Sequence, residues 1–215
     1  MTPPTSAPHI AGDARLAAQW RRAAHRAERR RPRREATRTL TASVAAPPAQ
    51  VFAVYADIGN HLGAHAFLRR LVLHRDTVEA GLRTVEFTAI EDVPVLGVRV
   101  PTRTHARQRI ETDGLRYRTE TWTSPAVTTR QLITFAPGPD GGTLVTEELV
   151  FSAPPALLGF VAARGAAAHE ATHRNLRPVL EGPAATDRPD PRPDPPRDPR
   201  PASGPASSGG PAGTG

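Results

Sequence analysis

The sequence predicts an α+β fold: a curved, seven-stranded antiparallel sheet with two short helices after its first strand and a long helix at its end. Three observations predict it. Apolar and polar side chains alternate with a period of two in seven separate runs between Thr39 and Ser152. The one long stretch of helical periodicity is PALLGFVAARGAAAHEATHRNLRPVLE, Pro155 to about Glu181, and it follows all the strands. Turn signals rich in Gly, Pro and Asp separate the runs, and a helix set against one face of an antiparallel sheet is an α+β solution.

In chain order, residues 1–12 are Pro-rich and uncharged, as expected of a disordered start. Residues 13–31 have a thin apolar helical stripe, Leu16, Trp20, Ala23, Ala24 and Ala27, with Pro32 ending it. From Thr39 the period changes: Leu40, Ala42 and Val44 alternate with Thr39, Thr41 and Ser43 in a strand. Pro48 suits the first turn of a helix whose apolar face is Val51, Phe52, Tyr55 and Ile58, broken at Gly59-Asn60. His61 to Leu68 has room for a further turn or two. Strands are then expected at 71–77, 83–90, 98–110, 115–123, 127–135 and 144–152, with Asp113-Gly114 as a strong hairpin signal. On the last helix Leu158, Val161, Gly165, Ala168, Thr172, Leu176 and Val179 share one face, and Glu170, Arg174, Arg177 and Glu181 lie opposite. Gly165 and Ala168 are expected to leave space beneath it, and Pro178 to kink or end it near Arg177. After Gly182 the segment DRPDPRPDPPRDPRP cannot bury a core and reads as an extended, disordered tail.

The division is therefore a basic arm at 1–38, a folded domain at 39–181 and a tail at 182–215. Charge follows it. Residues 13–38 hold ten Arg against three acids, whereas 39–181 hold fourteen of each and 182–215 four of each. All 28 basic side chains are Arg, which with abundant Ala, Pro and Gly suggests a G+C-rich, bacterial genome. Absence of Cys excludes disulfides and thiolate chemistry. No apolar run is long enough for a transmembrane helix and no secretory signal is visible, so a cytoplasmic location is expected. The arm has three readings. It is a solvated tail, a transit peptide, or an electrostatic contact with nucleic acid or an anionic membrane surface. In the last reading Arg15, Arg21, Arg22, Arg26, Arg29 and Arg30 supply charge and Trp20 is the anchor. No nucleic-acid-binding motif accompanies it.

Alternation on the two longest strands says what the inside is made of. Val98, Val100, Thr102, Thr104, Ala106, Gln108 and Ile110 share one face; Arg99, Arg103, His105, Arg107 and Arg109 share the other. Leu115, Tyr117, Thr119, Thr121 and Thr123 oppose Arg116, Arg118, Glu120 and Trp122. The Arg-rich faces are expected in water, so the Thr-rich faces point inward. Such a face suits a cavity better than a dry core, because every buried hydroxyl needs a partner. Thr chosen for β-propensity and bonded locally is the competing reading.

The pattern resembles the START / polyketide cyclase-like (SRPBCC, helix-grip) superfamily, whose fold is shared with plant pathogenesis-related allergens. The resemblance rests on SVAAPPAQVFAVYADIGN with Val44, Pro47, Val51, Phe52 and Asp57, on the six-strand meander with its Asp-Gly hairpin, and on HRNLRPVLEG with Leu176, Val179, Leu180 and Glu181. It covers about 39–181. It implies a sheet gripping the C-terminal helix with a small hydrophobic ligand between them, a lipid, polyketide or similar molecule. A minority of members cyclise and dehydrate poly-β-ketone chains. This chain departs from those cyclases: Trp122 falls on the outward face, and only Arg83 among the strand arginines is in phase to point in.

For the site, Tyr117 is the candidate orienting group, with Thr104, Gln108, Thr119 and Gln131 around it and Phe67 and Phe87 as apolar walls. Gly165, His169 and Thr172 face it from the helix. Tyr117 and His169 are the candidates for catalysis if there is any; a non-catalytic binder is the leading expectation. His169-Glu170-Ala171-Thr172-His173 fits the H-E-x-x-H zinc motif, but no third ligand follows at a suitable place. His169 falls at the edge of the inward face and His173 further round. Neither a metal nor a cofactor is expected.

Overall fold

The computed structural model describes residues 10–11, 13–28, 34–95, 97–124 and 126–181. Seven antiparallel strands form the sheet: β2 (Glu35–Val44), β3 (Leu68–Glu79), β4 (Leu82–Val95), β5 (Val98–Glu111), β6 (Arg116–Thr123), β7 (Val127–Pro137) and β8 (Thr143–Ser152). A two-residue strand, β1 (Ile10–Ala11), adds in parallel to β3, so the order is β1-β3-β4-β5-β6-β7-β8-β2. The helices are α1 (Ala14–Glu28), α2 (Pro48–Ala56), the single turn α3 (His61–Ala64) and α4 (Pro155–Glu181). β2 begins at Glu35, so the arm gives way to the sheet four residues before Thr39. Register shifts after Leu68 and Leu73 are bulges, which bend a strand and increase its twist.

Local chemistry accounts for the connections. Ala80 and Gly81 both take positive φ, 50° and 79°, the two-residue turn that matches strand twist. The Asp113-Gly114 hairpin forms too, yet the left-handed residue is Leu115, at φ 41°. Asp57 leaves α2 in an extended conformation and caps the 3-10 turn Ile58–Asn60 by accepting the Gly59 N–H at 2.9 Å. Pro178 does not end α4, which runs on to Glu181. The bond it removes would run to Arg174, and both residues are exposed, so water can serve the orphaned carbonyl.

The core lies between the sheet and α2–α4. Val51, Phe52 and Tyr55 from α2 meet Phe135, Ile133 and Val145 from the sheet and Leu176 and Leu180 from α4. Phe135 stands edge-on to both Phe52 and Tyr55. Leu180 occupies the inward place expected of Val179, which is 56% exposed. Gly165 differs from expectation in kind: a Cβ there would fall within 2.7 Å of Cζ of Phe151. The glycine lets α4 rest on that ring, so the space it gives is already filled.

The other face of the sheet is not left to water. α1 lies across it, with Leu16, Trp20 and Ala24 buried and Ala23 and Ala27 half-buried. Trp20 meets Trp122 in a T-shaped contact at 5.8 Å, its Nε1 donates to the carbonyl of Ala106 at 2.9 Å, and Arg107 sits over its ring. Beneath the helix His74, Thr88 and His105 form a hydrogen-bonded chain, with contacts of 2.7 and 2.9 Å to the Thr88 hydroxyl. His105 and Trp122 are therefore buried, and Arg107 reaches Glu86 at 3.1 Å. Trp20 cannot serve as a surface anchor while it is packed this way. Arg15, Arg21, Arg22 and Arg26 remain exposed; Arg29, Arg30, Pro32 and the tail from Gly182 lie outside the described residues. Val98 and Val100, placed inward by parity, are exposed because β5 pairs with β4 alone before Thr104. None of the described helices is long and apolar enough to cross a membrane.

If α1 is part of the fold, Trp20→Ala lowers the unfolding free energy by about 3 kcal/mol in urea titration; a change near zero would mean that the helix does not pack on the sheet.

Candidate functional site

A cavity of about 300 Å³ lies between the concave face of the sheet and α4. Strand register lays out its floor in rows. One row runs Ile110–Tyr117–Ile133–Glu147, the next Val85–Gln108–Thr119–Gln131–Leu149, the next Phe87–Ala106–Thr121–Thr129–Phe151. Side chains two apart on a strand share a face, so each row presents the same side to α4. Phe67, Phe87, Thr104, Gln108, Tyr117, Thr119, Gln131, Gly165, His169 and Thr172 all line this one cavity. Thr172 spends its hydroxyl on its own helix, donating to the carbonyl of Ala168 at 3.0 Å. Arg83 stays out: its guanidinium grips both oxygens of Asp76 at 2.9 and 2.7 Å.

The polar centre of the cavity is Glu147, on β8 and fully buried. His169 Nδ1 meets its Oε1 at 2.7 Å, and His173 Nε2 meets its Oε2 at 2.7 Å. Gln131 donates a further bond to Oε1. The histidines are one helical turn apart, so both point down from α4; His173 is buried there, not turned to the side. Its Nδ1 lies 3.1 Å from the Tyr55 hydroxyl. Burial would raise the Glu147 carboxyl, but the charge of His169 and hydrogen bonds from both histidines hold it well below the usual carboxylate range. Burial would likewise lower His169, and the charge and hydrogen bond of Glu147, with Glu91 adding, raise it. The result is a carboxylate–imidazole pair of a buried Glu147 and a half-buried His169 whose protonated form is favoured, with the Nε2 edge of His169 turned away from the carboxylate.

A second group sits beside it. Glu91 accepts from the Thr104 hydroxyl, which also lies 3.0 Å from that of Thr123. Burial raises Glu91, more than Thr104 and the charge of His169 lower it. His65, with its ring 6.1 Å from that of His169, is pushed down to about 3 by burial and by the charges of His169 and His61. Of the four polar side-chain atoms buried without a partner among the described residues, three belong to residues lining this cavity, the Tyr117 hydroxyl, Gln108 Oε1 and the Thr102 hydroxyl, and the fourth is His74 Nδ1. Burial, then the charges of Glu147 and Tyr55, push Tyr117 well above its usual value, so it remains a proton donor.

The H-E-x-x-H side chains are directed differently from those of the zinc motif. Glu170 is exposed while both histidines are engaged by Glu147. Among the described residues no group of three or more His, Cys, Asp or Glu is placed to hold a metal ion. A larger recess, about 1240 Å³, opens on the other face between α1 and β5–β7, edged by the exposed Arg22, Arg26 and Arg103. Among the described residues no buried ion pair lines it, and the inner cavity is the better candidate.

Glu147, Tyr55, Glu91, His61 and His65 are the residues that sequence reasoning missed. Glu147 had a readable signal, because it alternates in phase with Val145, Leu149 and Phe151 on an otherwise apolar face. The raised His169 stabilises the fold fully below pH 6.5 and loses this as pH climbs through its folded-state value. The depressed Glu147 does so fully above pH 4.5 and loses it as pH falls through its own. The stability gap between the wild type and Glu147→Gln is therefore widest between those values, at about 3 kcal/mol, and narrows to either side. Denaturant titrations over a pH series check this, and a gap that does not vary with pH contradicts it.

Comparison with known proteins agrees with this architecture. A family model described as polyketide cyclase / dehydrase and lipid transport matches residues 35–185. No curated protein matches the chain. Among solved structures, a START superfamily protein from Mycobacterium smegmatis superposes with a TM-score of 0.54 at 13% identity, over 67% of this chain and 97% of that one. The di-domain ARO/CYC StfQ from the steffimycin biosynthetic pathway gives 0.53 at 17% identity, over 79% of this chain and 61% of that one. The di-domain ARO/CYC BexL from the BE-7585A pathway gives 0.53 at 16%, over 68% and 50%. This chain thus spans about half to three-fifths of the two di-domain proteins, and at these identities the likeness is one of fold. With more than half of its length matched by the family model, the chain belongs to the polyketide cyclase / dehydrase and lipid transport family.

Proposed function

We propose that the protein binds a small, mainly apolar molecule, a lipid, a polyketide or one of similar character, in the cavity beneath α4, without a covalent step. The observation that carries this reading is the cavity itself. About 300 Å³ of space adjoins Phe67, Leu71, Phe87, Ala106 and Ile133, with a few polar groups at fixed places. That composition is the usual one for a small-molecule site, apolar walls giving affinity and sparse polar groups giving orientation. Membership of a family described by lipid transport as well as by cyclisation supports the same reading.

One observation favours a second reading, a polyketide aromatase/cyclase-like enzyme. His169, held on Nδ1 by Glu147, is a group able to give a proton to a bound molecule, and Tyr117 is a second hydrogen-bond donor on the floor. Conversion of a poly-β-ketone by the wild type and its loss in His169→Ala would favour this reading. Tethering through the basic arm is the weakest of the three, since the packing of Trp20 removes its apolar anchor.

Ala168→Phe tests the binding site. Ala168 is buried and faces the cavity. A phenyl group there should fill the space, cost about 1–3 kcal/mol of stability and weaken binding of the apolar fluorophore N-phenyl-1-naphthylamine at least about tenfold. Undiminished fluorophore binding by the folded variant would rule this cavity out as the site.

A further inference from the structure

We propose that the molecule bound in this cavity carries a hydroxyl group at its buried end, received jointly by Gln108 and Tyr117. This rests on the reading of the cavity as a small-molecule site and adds the chemical class of what it selects. Both side chains are almost wholly buried, line the cavity, and leave one polar atom each without a partner among the described residues: Oε1 of Gln108 and the hydroxyl of Tyr117. They sit on adjacent strands. Gln108 pairs with Thr119 and Ile110 with Tyr117, which makes Gln108 and Tyr117 diagonal neighbours on one face, about 7 Å apart at Cβ and within joint reach of one ligand atom.

The two orphaned atoms differ in what they need. Gln108 Oε1 can only accept, so the ligand must bring an O–H or N–H. The Tyr117 hydroxyl has a proton to give, so the same ligand atom should offer a lone pair. An ether or ketone satisfies Tyr117 and leaves Gln108 unpaired. An indole N–H satisfies Gln108 and offers Tyr117 no lone pair, and an amide meets both needs only with two separate atoms, its N–H and its carbonyl. An ammonium has no lone pair and would be stripped of water beside Phe87, Ala106 and Ile133. A hydroxyl, whether of an alcohol, an enol or a phenol, meets both needs with one oxygen. Its neighbours fit: Gln131 is already committed to Glu147, and Thr119 stands between Gln108 and Gln131 in the same row. A site built around a hydroxyl rejects the analogue lacking it far more strongly than an apolar pocket rejects a missing methylene, because the protein's own groups are then buried unpaired.

The test compares 4-hydroxybiphenyl, 4-methoxybiphenyl and biphenyl by titration calorimetry on the full chain. The wild type should bind the hydroxy compound at least about tenfold more tightly than the methoxy compound. In Gln108→Leu, and in the volume-conserving Gln108→Met should the first not fold, that ratio should fall to within about twofold of unity. Equal affinities in the wild type overturn the proposal, as does a preference that survives both substitutions. If the probes bind without discrimination, the inference fails and the cavity remains a binding site. If none of the three binds, the reading of the cavity fails and this inference with it.

Discussion

The carboxylate of Glu147 is the point on which the inner half of this protein turns. It is a charge sunk into the concave side of a sheet, and such a charge is tolerated only when it is paired and hydrogen-bonded. Two histidines one turn apart on α4 supply the pairing, one to each oxygen. The same contacts fix the rotation of α4 about its axis, since a small roll would withdraw both imidazoles. Further along, the bare backbone at Gly165 rests on the ring of Phe151. Near its end, Glu181 accepts the N–H of Ala45 at 2.9 Å. An electrostatic clamp in the middle, a steric seat on one side and a hydrogen bond on the other hold the helix over the sheet and set the depth of the space below.

What that space contains follows from the strand pleat. Parity delivers Thr, Gln and Tyr to the concave face along β5 and β6, between rows of Phe, Ile and Leu. Some of these polar groups serve one another, as Thr104, Thr123 and Glu91 do. Others are left over. A surface that is neither apolar enough to collapse nor polar enough to satisfy itself remains open to a third party. The convex side solves the converse problem. There α1 covers a belt of His, Trp and Arg, so the sheet has a helix on each face and its outward aromatics have partners.

Much of this was legible in the sequence. Period-two runs located the strands, Pro155 to Glu181 was recognisably one helix, and parity alone chose Tyr117, Gln108 and Thr119 as cavity-facing. Parity misled where a strand runs beyond its neighbours, as at Val98 and Val100, and where a long side chain bends back to a partner, as Arg83 does to Asp76. It could not show that Trp122 faces a helix and not water, because nothing local to β6 reports what docks on it. The stripe of Leu16, Trp20 and Ala24 was the available clue, and it needed to be read as a docking face. Glu147 escaped for another reason. A carboxylate on an apolar strand gains its meaning only from the histidines opposite, 22 and 26 positions further along the chain, and a helical wheel alone set His173 too far round.

The account stands on the cavity beneath α4 being a place where another molecule resides. Native mass spectrometry of the full chain, purified without detergent, asks this most directly. The account predicts a discrete mass above that of the polypeptide, lost on denaturation and recoverable in organic solvent. A single unliganded species that also fails to take up added apolar molecules would contradict it.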